Sequence, residues 1–201
     1  FMVYRKANGE IGSLDYREKA PLAATKDMFL DDKGNVIKGK STESPLAIGV
    51  SGTIAGVFAV HEKLGSLPIE EILKPVIELA ERGVIVTKKQ EDRLTAYRAK
   101  IIKVNGDKTL FATAFKENDV IKYPALAATL KRISKNGRDE FYKGKTAEIL
   151  VQYLQEKGAI ITLEDLSKYE AKWRTPLTFD YKDLKVISMP PPSSGGICLA
   201  E

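Results

Sequence analysis

The sequence has one cysteine and one histidine in 201 residues. A single cysteine, Cys198, excludes an internal disulfide bond, and together with His61 it gives no recognisable zinc-ligand set. We therefore expect no metal site, and no motif indicates a cofactor. A Ser-His-Asp triad could use only His61, whose flanking sequence does not support one. The sequence therefore predicts that no catalytic residue lies within this chain.

Long apolar runs and long runs of like charge are also missing. No apolar stretch approaches the ~20 residues that a membrane-spanning helix requires. The net charge of +5 comes from 32 basic and 27 acidic residues, and these are interleaved, so we expect no nucleic-acid partner. No targeting segment is visible, so the residues themselves do not indicate a compartment. With 43% hydrophobic residues, the chain can bury a sizeable core.

One phosphate-loop pattern occurs, at Gly34–Ser41 (GNVIKGKS). Such a loop binds phosphate only when an apolar strand precedes it and a helix follows it. Here acidic residues 31–32 precede it, and Pro45 follows at a position that discourages a helix start. We interpret the pattern as a chance match in a charged turn.

The pattern of apolar residues and turn signals predicts a mixture of helices and short strands. The predicted strands are Phe1–Arg5, Leu14–Tyr16, Ile160–Ile161, Leu177–Tyr181 and Lys185–Met189. The predicted helices are Ala23–Leu30, a helix within 49–65 capped by Ser51 or Thr53, Ile69–Arg82 with a kink or break at Pro75, Lys88–Lys100, Pro124–Lys135, and one long helix over Asp139–Lys157. Thr162 and Asp165 are spaced as a capping box. Both chain ends fall inside apparent elements, so we expect an internal piece of a longer protein.

Leu14–Pro21 (LDYREKAP) places Arg17 just after a strand, in irregular backbone. A planar and permanently charged guanidinium suits bidentate binding of a carboxylate. The alternative is that Arg17 only forms ion pairs with Asp15 or Glu18, as many arginines do. The chemistry of the segment leaves both interpretations open.

Met189–Gly196 (MPPPSSGG) combines three prolines with a turn of small residues. The prolines predict an extended, polyproline-like arm, and the glycines allow close passage of another backbone. The turn could present N–H groups to an anion, or it could be a structural corner between a strand and a helix. The segment itself favours neither.

These two motifs together resemble the γ-glutamyltransferase family, also called glutathione hydrolases. Further matches are Ala24–Phe29 (ATKDMF), Gly52–Gly56 (GTIAG), Glu140–Gly144 (EFYKG) and Ile161–Leu166 (ITLEDL). The resemblance implies an α+β protein with the αββα N-terminal-nucleophile hydrolase fold. Residues 1–201 would then be a partial large-subunit domain, truncated at both ends and mostly helical with a few strands.

The resemblance also implies an activity. The family's precursor cuts itself, and the new N-terminal threonine of the small subunit attacks γ-glutamyl amides such as glutathione. Water, an amino acid or a peptide then accepts the glutamyl group. That threonine would lie outside this chain, so we expect this chain to be inactive without the small subunit of the same precursor. By the same resemblance, the protein would be periplasmic or secreted.

One functional residue carries over directly. Arg17 aligns with the family arginine that binds the α-carboxylate of the glutamyl group, and Asp15 and Glu18 are then expected to orient it. Ser193 and Ser194 are expected only to form a structural turn near the site. The alternatives are an acylase acting on β-lactam side chains, a polyglutamate-processing transpeptidase, or a non-catalytic binding or assembly module.

Overall fold

The computed structural model describes residues 1–201 and contains seven strands and nine α-helices. The strands are β1 (Met2–Arg5), β2 (Ile11–Asp15), β3 (Val84–Ile85), β4 (Val120–Ile121), β5 (Lys172–Arg174), β6 (Leu177–Tyr181) and β7 (Leu184–Ser188). The α-helices are α1 (Lys40–Glu43), α2 (Thr53–Leu64), α3 (Ile69–Arg82), α4 (Lys88–Asn105), α5 (Pro124–Asn136), α6 (Arg138–Tyr142), α7 (Lys145–Glu156), α8 (Leu163–Ser167) and α9 (Gly195–Ala200). The predicted mixture of many helices and few strands is confirmed.

The chain divides into two compact units. The first unit joins Phe1–Ser66 to Arg138–Glu201, and the second is Leu67–Gly137. Both motifs singled out in the sequence, Leu14–Pro21 and Met189–Gly196, lie in the first unit.

The first unit contains an antiparallel sheet in the order β1-β2-β5. The central strand β2 is hydrogen-bonded on both sides, and its Ser13 and Leu14 are fully buried. Its start lies three residues before the predicted one, directly after the turn at Gly9, whose φ of +89° suits glycine. The strand that ends two residues before Arg17 is therefore held on both sides by the sheet.

Helices α2, α6, α7 and α8 form the main core of the first unit. Tyr142 and Tyr169 are its largest buried side chains, and their rings stack with centroids 5.7 Å apart. Around them lie Val50, Ala55, Ala147, Val151, Ile161 and Leu166. Burial of this apolar surface is the main stabilising contribution to the unit.

The start of α2 differs from the prediction. The N-cap is Gly52, and no side chain caps the helix, whereas Ser51 or Thr53 was expected. A Cβ atom on Gly52 would overlap the Tyr169 hydroxyl. Close packing against Tyr169 therefore outweighs the capping preference at this position.

The predicted long helix over 139–157 is wrong, because α6 and α7 are separate. The chain breaks at Gly144, where a Cβ atom would lie 2.8 Å from a carboxylate oxygen of Glu140. The buried Glu140 carboxylate accepts hydrogen bonds from the N–H and hydroxyl of Thr146, at 3.0 and 2.8 Å. It thereby satisfies an N–H at the start of α7, which would otherwise have no partner.

Two shorter predictions are also wrong. Residues 23–30 form successive turns rather than a helix, and the N–H of the preceding Leu22 is bound by Asp165 at 2.6 Å. Ile161 lies in the core without a strand partner, and its carbonyl accepts from Gln155. In both segments, contacts with distant or neighbouring side chains override local propensity.

The capping box is confirmed at the start of α8. The N–H of Asp165 donates to the Thr162 hydroxyl at 3.2 Å, and the Thr162 N–H donates to the Asp165 carboxylate at 2.8 Å. The phosphate-loop pattern leads only into the four-residue helix α1, with no strand directly before it. This geometry does not provide the helix that a phosphate loop requires.

The strands predicted at 177–181 and 185–189 are present as β6 and β7, which pair antiparallel with Lys182 in the turn between them at a φ of +55°. The prediction of an extended arm at the following prolines is wrong. The Pro191–Pro192 peptide bond is cis, and the N–H of Ser193 donates to the Pro190 carbonyl at 3.1 Å. The segment therefore makes a tight turn before α9.

The second unit packs α3 against α5 around Ile77, Ala80 and Ala127. Helix α3 continues through Pro75 without a break, and α5 starts at Pro124 as predicted. Helix α4 is longer than predicted and begins with a capping box formed by residues 87 and 90. Strands β3 and β4 form a ladder of two residue pairs.

Candidate functional site

Arg17 lies two residues beyond the end of β2, at a surface cavity of about 250 Å³ in the first unit. Its side chain is 49% exposed, so the guanidinium is accessible from solvent. The cavity is lined by Asp15, Arg17, Glu18, Lys19, Tyr169, Glu170, Lys172, Arg174 and Pro192. Four of these side chains are cationic and three are acidic, so the lining has a small positive excess that favours an anionic group.

The guanidinium of Arg17 has few and weak protein contacts. Its Nε donates to Glu18 at 3.4 Å, and its Nη1 donates to the carbonyl of Pro192 at 3.4 Å. The Phe1 ring centroid lies 5.9 Å from its Cζ, within cation–π range. The two N–H groups on Nη2 donate to no protein acceptor, so they can donate to a carboxylate.

The contact with Pro192 brings the two sequence motifs together. Arg17 and Pro192 are 175 residues apart in the chain, yet the cavity includes both. The turn that contains Pro192 leads into Gly196, where a Cβ atom would lie 2.8 Å from the Met189 carbonyl. The glycine therefore allows the start of α9 to lie against the end of β7, which fixes the direction of the turn.

Asp15 does not pair with the Arg17 guanidinium. One oxygen of its buried carboxylate accepts from the Arg17 main-chain N–H at 3.1 Å. The other accepts from Nε and Nη2 of Arg174 at 2.9 and 2.7 Å. Burial opposes ionisation of Asp15, but the bonds from Arg17 and Arg174 outweigh it and lower the pKa of the carboxyl. Asp15 is therefore a charged anchor that links β2 to β5.

Glu18 is the acidic side chain that faces the guanidinium. Both partners are largely exposed, with the Glu18 side chain 61% accessible. Exposed ion pairs of this kind contribute about 0–1 kcal/mol. The Glu18 carboxylate is therefore only a weakly bound partner of Arg17.

Tyr169 also contacts the Arg17 main chain, although no pattern in the sequence pointed to this residue. Its hydroxyl donates to the Arg17 carbonyl at 2.7 Å. Arg174 was likewise not expected, since it lies 159 residues from Asp15. Both are joined to the Arg17 segment by tertiary contacts, which leave no local pattern in the sequence. A search for tyrosines or arginines near Arg17 in the sequence would not find either.

No group of three or more histidine, cysteine, aspartate or glutamate side chains is arranged to hold a metal ion. None of the helices is both long and apolar enough to span a membrane.

The chain matches the family model described as Gamma-glutamyltranspeptidase over residues 1–201. It is 42% identical over 205 residues to a glutathione hydrolase proenzyme of Escherichia coli, covering 100% of this chain and 35% of that protein. It is 43% identical over 191 residues to a glutathione hydrolase proenzyme of Pseudomonas aeruginosa, covering 94% of this chain and 34% of that one.

The structure of a Helicobacter pylori γ-glutamyltranspeptidase superposes with a TM-score of 0.95 at 42% identity, over 98% of this chain and 58% of that chain. The fold is therefore that of the N-terminal-nucleophile hydrolases, as the family resemblance implied. The chain spans about a third of the length of the curated relatives named above. The match over every residue and the shared fold lead to one conclusion: the chain belongs to the γ-glutamyltranspeptidase family.

Proposed function

We propose that this chain is part of the large subunit of an enzyme that cleaves γ-glutamyl amides such as glutathione, and that Arg17 binds the α-carboxylate of the glutamyl group. Membership of the family supports the reaction class. The observation that carries the role of Arg17 is its geometry: an accessible guanidinium at a cavity, with both Nη2 donors unused by the protein. Such a guanidinium can bind a carboxylate through two parallel hydrogen bonds.

The size of the cavity supports a small anionic group. Sites for drug-sized ligands range from about 300 to 1,000 Å³, and this cavity is about 250 Å³. The head group of a single amino acid, with one carboxylate, suits that volume. Asp15 and Glu18 act on Arg17 in different ways in this proposal: Asp15 fixes its main chain, and Glu18 borders the guanidinium.

The reaction follows from the family resemblance. A threonine outside this chain attacks the γ-carbonyl carbon through its Oγ, and its proton passes through the α-amine to the leaving nitrogen. The C–N bond breaks, the amine leaves, and a γ-glutamyl ester remains on the threonine. Water or the amine of an amino acid or peptide then attacks that ester and releases the threonine. In this scheme residues 1–201 bind the substrate and have no activity without the small subunit.

The small subunit of the same precursor is the proposed macromolecular partner. The description of both bacterial relatives as proenzymes supports maturation by cleavage. We also propose, from the family resemblance, that the protein is exported to the periplasm or secreted.

The alternatives differ in the substrate group that they need. A β-lactam acylase recognises a side-chain acyl group that need not carry an α-carboxylate, and the accessible Arg17 favours a substrate that has one. A polyglutamate-processing relative would use the same carboxylate contact on a longer chain. A non-catalytic module would lack the threonine altogether.

Expression of the full-length gene tests the proposal. We expect two bands on a denaturing gel after maturation, and release of p-nitroaniline from L-γ-glutamyl-p-nitroanilide. A β-lactam with a phenylacetyl side chain, which has no carboxylate, and a poly-γ-glutamate polymer serve as competing substrates. The proposal is wrong if the protein remains one band and inactive, or if either competing substrate is turned over with much higher kcat/KM.

A further inference from the structure

The main chain of Arg17 is held at both of its polar atoms by side chains. The N–H donates to Asp15 at 3.1 Å, and the carbonyl accepts from the Tyr169 hydroxyl at 2.7 Å. Asp15 comes from the same segment, whereas Tyr169 is 152 residues away. No other hydrogen bond reaches the Arg17 carbonyl, so the Tyr169 hydroxyl alone fixes that side of the peptide unit.

The Tyr169 ring has little freedom to move. It is 2% exposed and stacks on Tyr142 at an interplanar angle of 12°. Arg138 donates to the Tyr169 carbonyl, which holds the main chain of the tyrosine as well.

The space around the Tyr169 hydroxyl is equally restricted. Gly52 lies so close that a Cβ atom there would overlap the hydroxyl. The Lys19 ammonium lies 4.9 Å from the centroid of the Tyr169 ring. Burial and the neighbouring Tyr142 raise the pKa of Tyr169 to about 12, so its hydroxyl remains a donor throughout the physiological range.

We propose that Tyr169 is a positioning residue for Arg17, which sets the main chain of the arginine so that its guanidinium meets the substrate carboxylate in a fixed place. This inference rests on the proposed function of Arg17. Arg17 is in irregular backbone beyond β2, and the next main-chain pairing comes two residues later, between Lys19 and Val50. Displacement of a binding group by about 1 Å is enough to weaken substrate positioning strongly.

Tyr142 provides a matched control. It has the same ring, is fully buried in the same stack, and also donates from its hydroxyl to a main-chain carbonyl. Its hydroxyl, however, bonds Ser51 and Ala55 and not Arg17. Tyr142→Phe therefore removes one buried hydroxyl without removing a bond to Arg17.

The test uses the full-length, matured enzyme and two substrates: L-γ-glutamyl-p-nitroanilide and 4-aminobutyryl-p-nitroanilide, which lacks the α-carboxylate. The ratio of kcat/KM for the two substrates is measured on one enzyme sample, so it does not depend on the fraction that is folded. We expect Tyr169→Phe to lower this ratio about 3- to 10-fold, the effect of one lost hydrogen bond. Most of the change should be in KM for the glutamyl substrate, and Tyr142→Phe should leave the ratio within twofold.

The variants distinguish the two levels of the proposal. If Arg17→Ala leaves the ratio unchanged, Arg17 does not read the carboxylate, and both the proposed function of Arg17 and this inference are wrong. If Arg17→Ala lowers the ratio but Tyr169→Phe does not, or if Tyr142→Phe lowers it equally, only the positioning role is wrong. In the Arg17→Ala background, Tyr169→Phe should cause no further change in the ratio.

Discussion

Replacement of Arg17 by alanine in the full-length enzyme should weaken substrate binding without unfolding the protein. The two hydrogen bonds that anchor this residue use its main-chain N–H and carbonyl, and alanine keeps both. The lost side-chain contacts are an exposed ion pair with Glu18, a bond of 3.4 Å to Pro192 and a cation–π contact with the Phe1 ring. Exposed pairs of this kind contribute about 0–1 kcal/mol to stability, so the melting temperature should change little.

The expected loss of binding is larger than that loss of stability. A hydrogen bond to a charged group contributes about 1.5–3 kcal/mol. The Arg17 side chain is 49% exposed, which argues against the larger values measured for fully buried charge pairs. Because about 1.4 kcal/mol corresponds to a factor of ten, KM for a γ-glutamyl substrate should rise about 10- to 150-fold.

The measurement is steady-state kinetics with L-γ-glutamyl-p-nitroanilide on matured enzyme. Arg5→Ala is the control, because Arg5 is an exposed arginine at the end of β1 and does not line the cavity. Arg17→Lys should restore little binding, since an ammonium lacks the planar pair of donors. A KM for Arg17→Ala equal to that of Arg5→Ala would refute the reasoning, and full activity of Arg17→Lys would exclude bidentate binding.

Three further substitutions test the framework around the site. Gly52→Ala should destabilise the protein by about 1–3 kcal/mol, because its Cβ overlaps the Tyr169 hydroxyl; an unchanged melting temperature would contradict this. Asp15→Asn should lower the melting temperature most near neutral pH. The lowered pKa of Asp15 stabilises the fold above its unfolded value of about 3.9, and this stabilisation is lost as pH falls below it, so the difference from wild type should shrink there. Thr162→Ala should cost about 1 kcal/mol by removing the cap to Asp165, and Thr162→Ser should restore it.

Elements with strong local signals could be predicted from the sequence. The hairpin of β6 and β7, the start of α5 at Pro124 and the capping box at Thr162 all depend on residues within a few positions of each other. The wrong predictions share a different cause. The break at Gly144 depends on the buried Glu140 carboxylate, and the turns over 23–30 follow Leu22, whose N–H donates to the distant Asp165. Helical periodicity contains no information about such contacts.

In the candidate site too, the residue with a local sequence signal was predicted, and the residues that depend on distant contacts were not. Arg17 stood out in the sequence because an arginine after a strand, in a recognisable motif, suits carboxylate binding. The expectation that Asp15 orients Arg17 stays a prediction, and the contact at 3.1 Å is compatible with it. Tyr169 and Arg174 reach the segment only through folding, over 152 and 159 residues. A single sequence provides no signal for pairs so far apart.

The distribution of charge around Arg17 supports the proposal that this arginine, although it has two acidic neighbours, binds an anion. Asp15 is the neighbour that could make the Arg17 guanidinium inaccessible to an anion, because a buried carboxylate would bind a guanidinium strongly. Arg174 prevents this pairing, because it donates two hydrogen bonds to one Asp15 oxygen. The other Asp15 oxygen accepts a hydrogen bond from the Arg17 main-chain N–H. The Arg17 guanidinium is left with Glu18, an exposed partner at 3.4 Å that a substrate carboxylate can displace at small cost. Arg174 therefore neutralises the Asp15 carboxylate, and the Arg17 guanidinium stays exposed at this cavity.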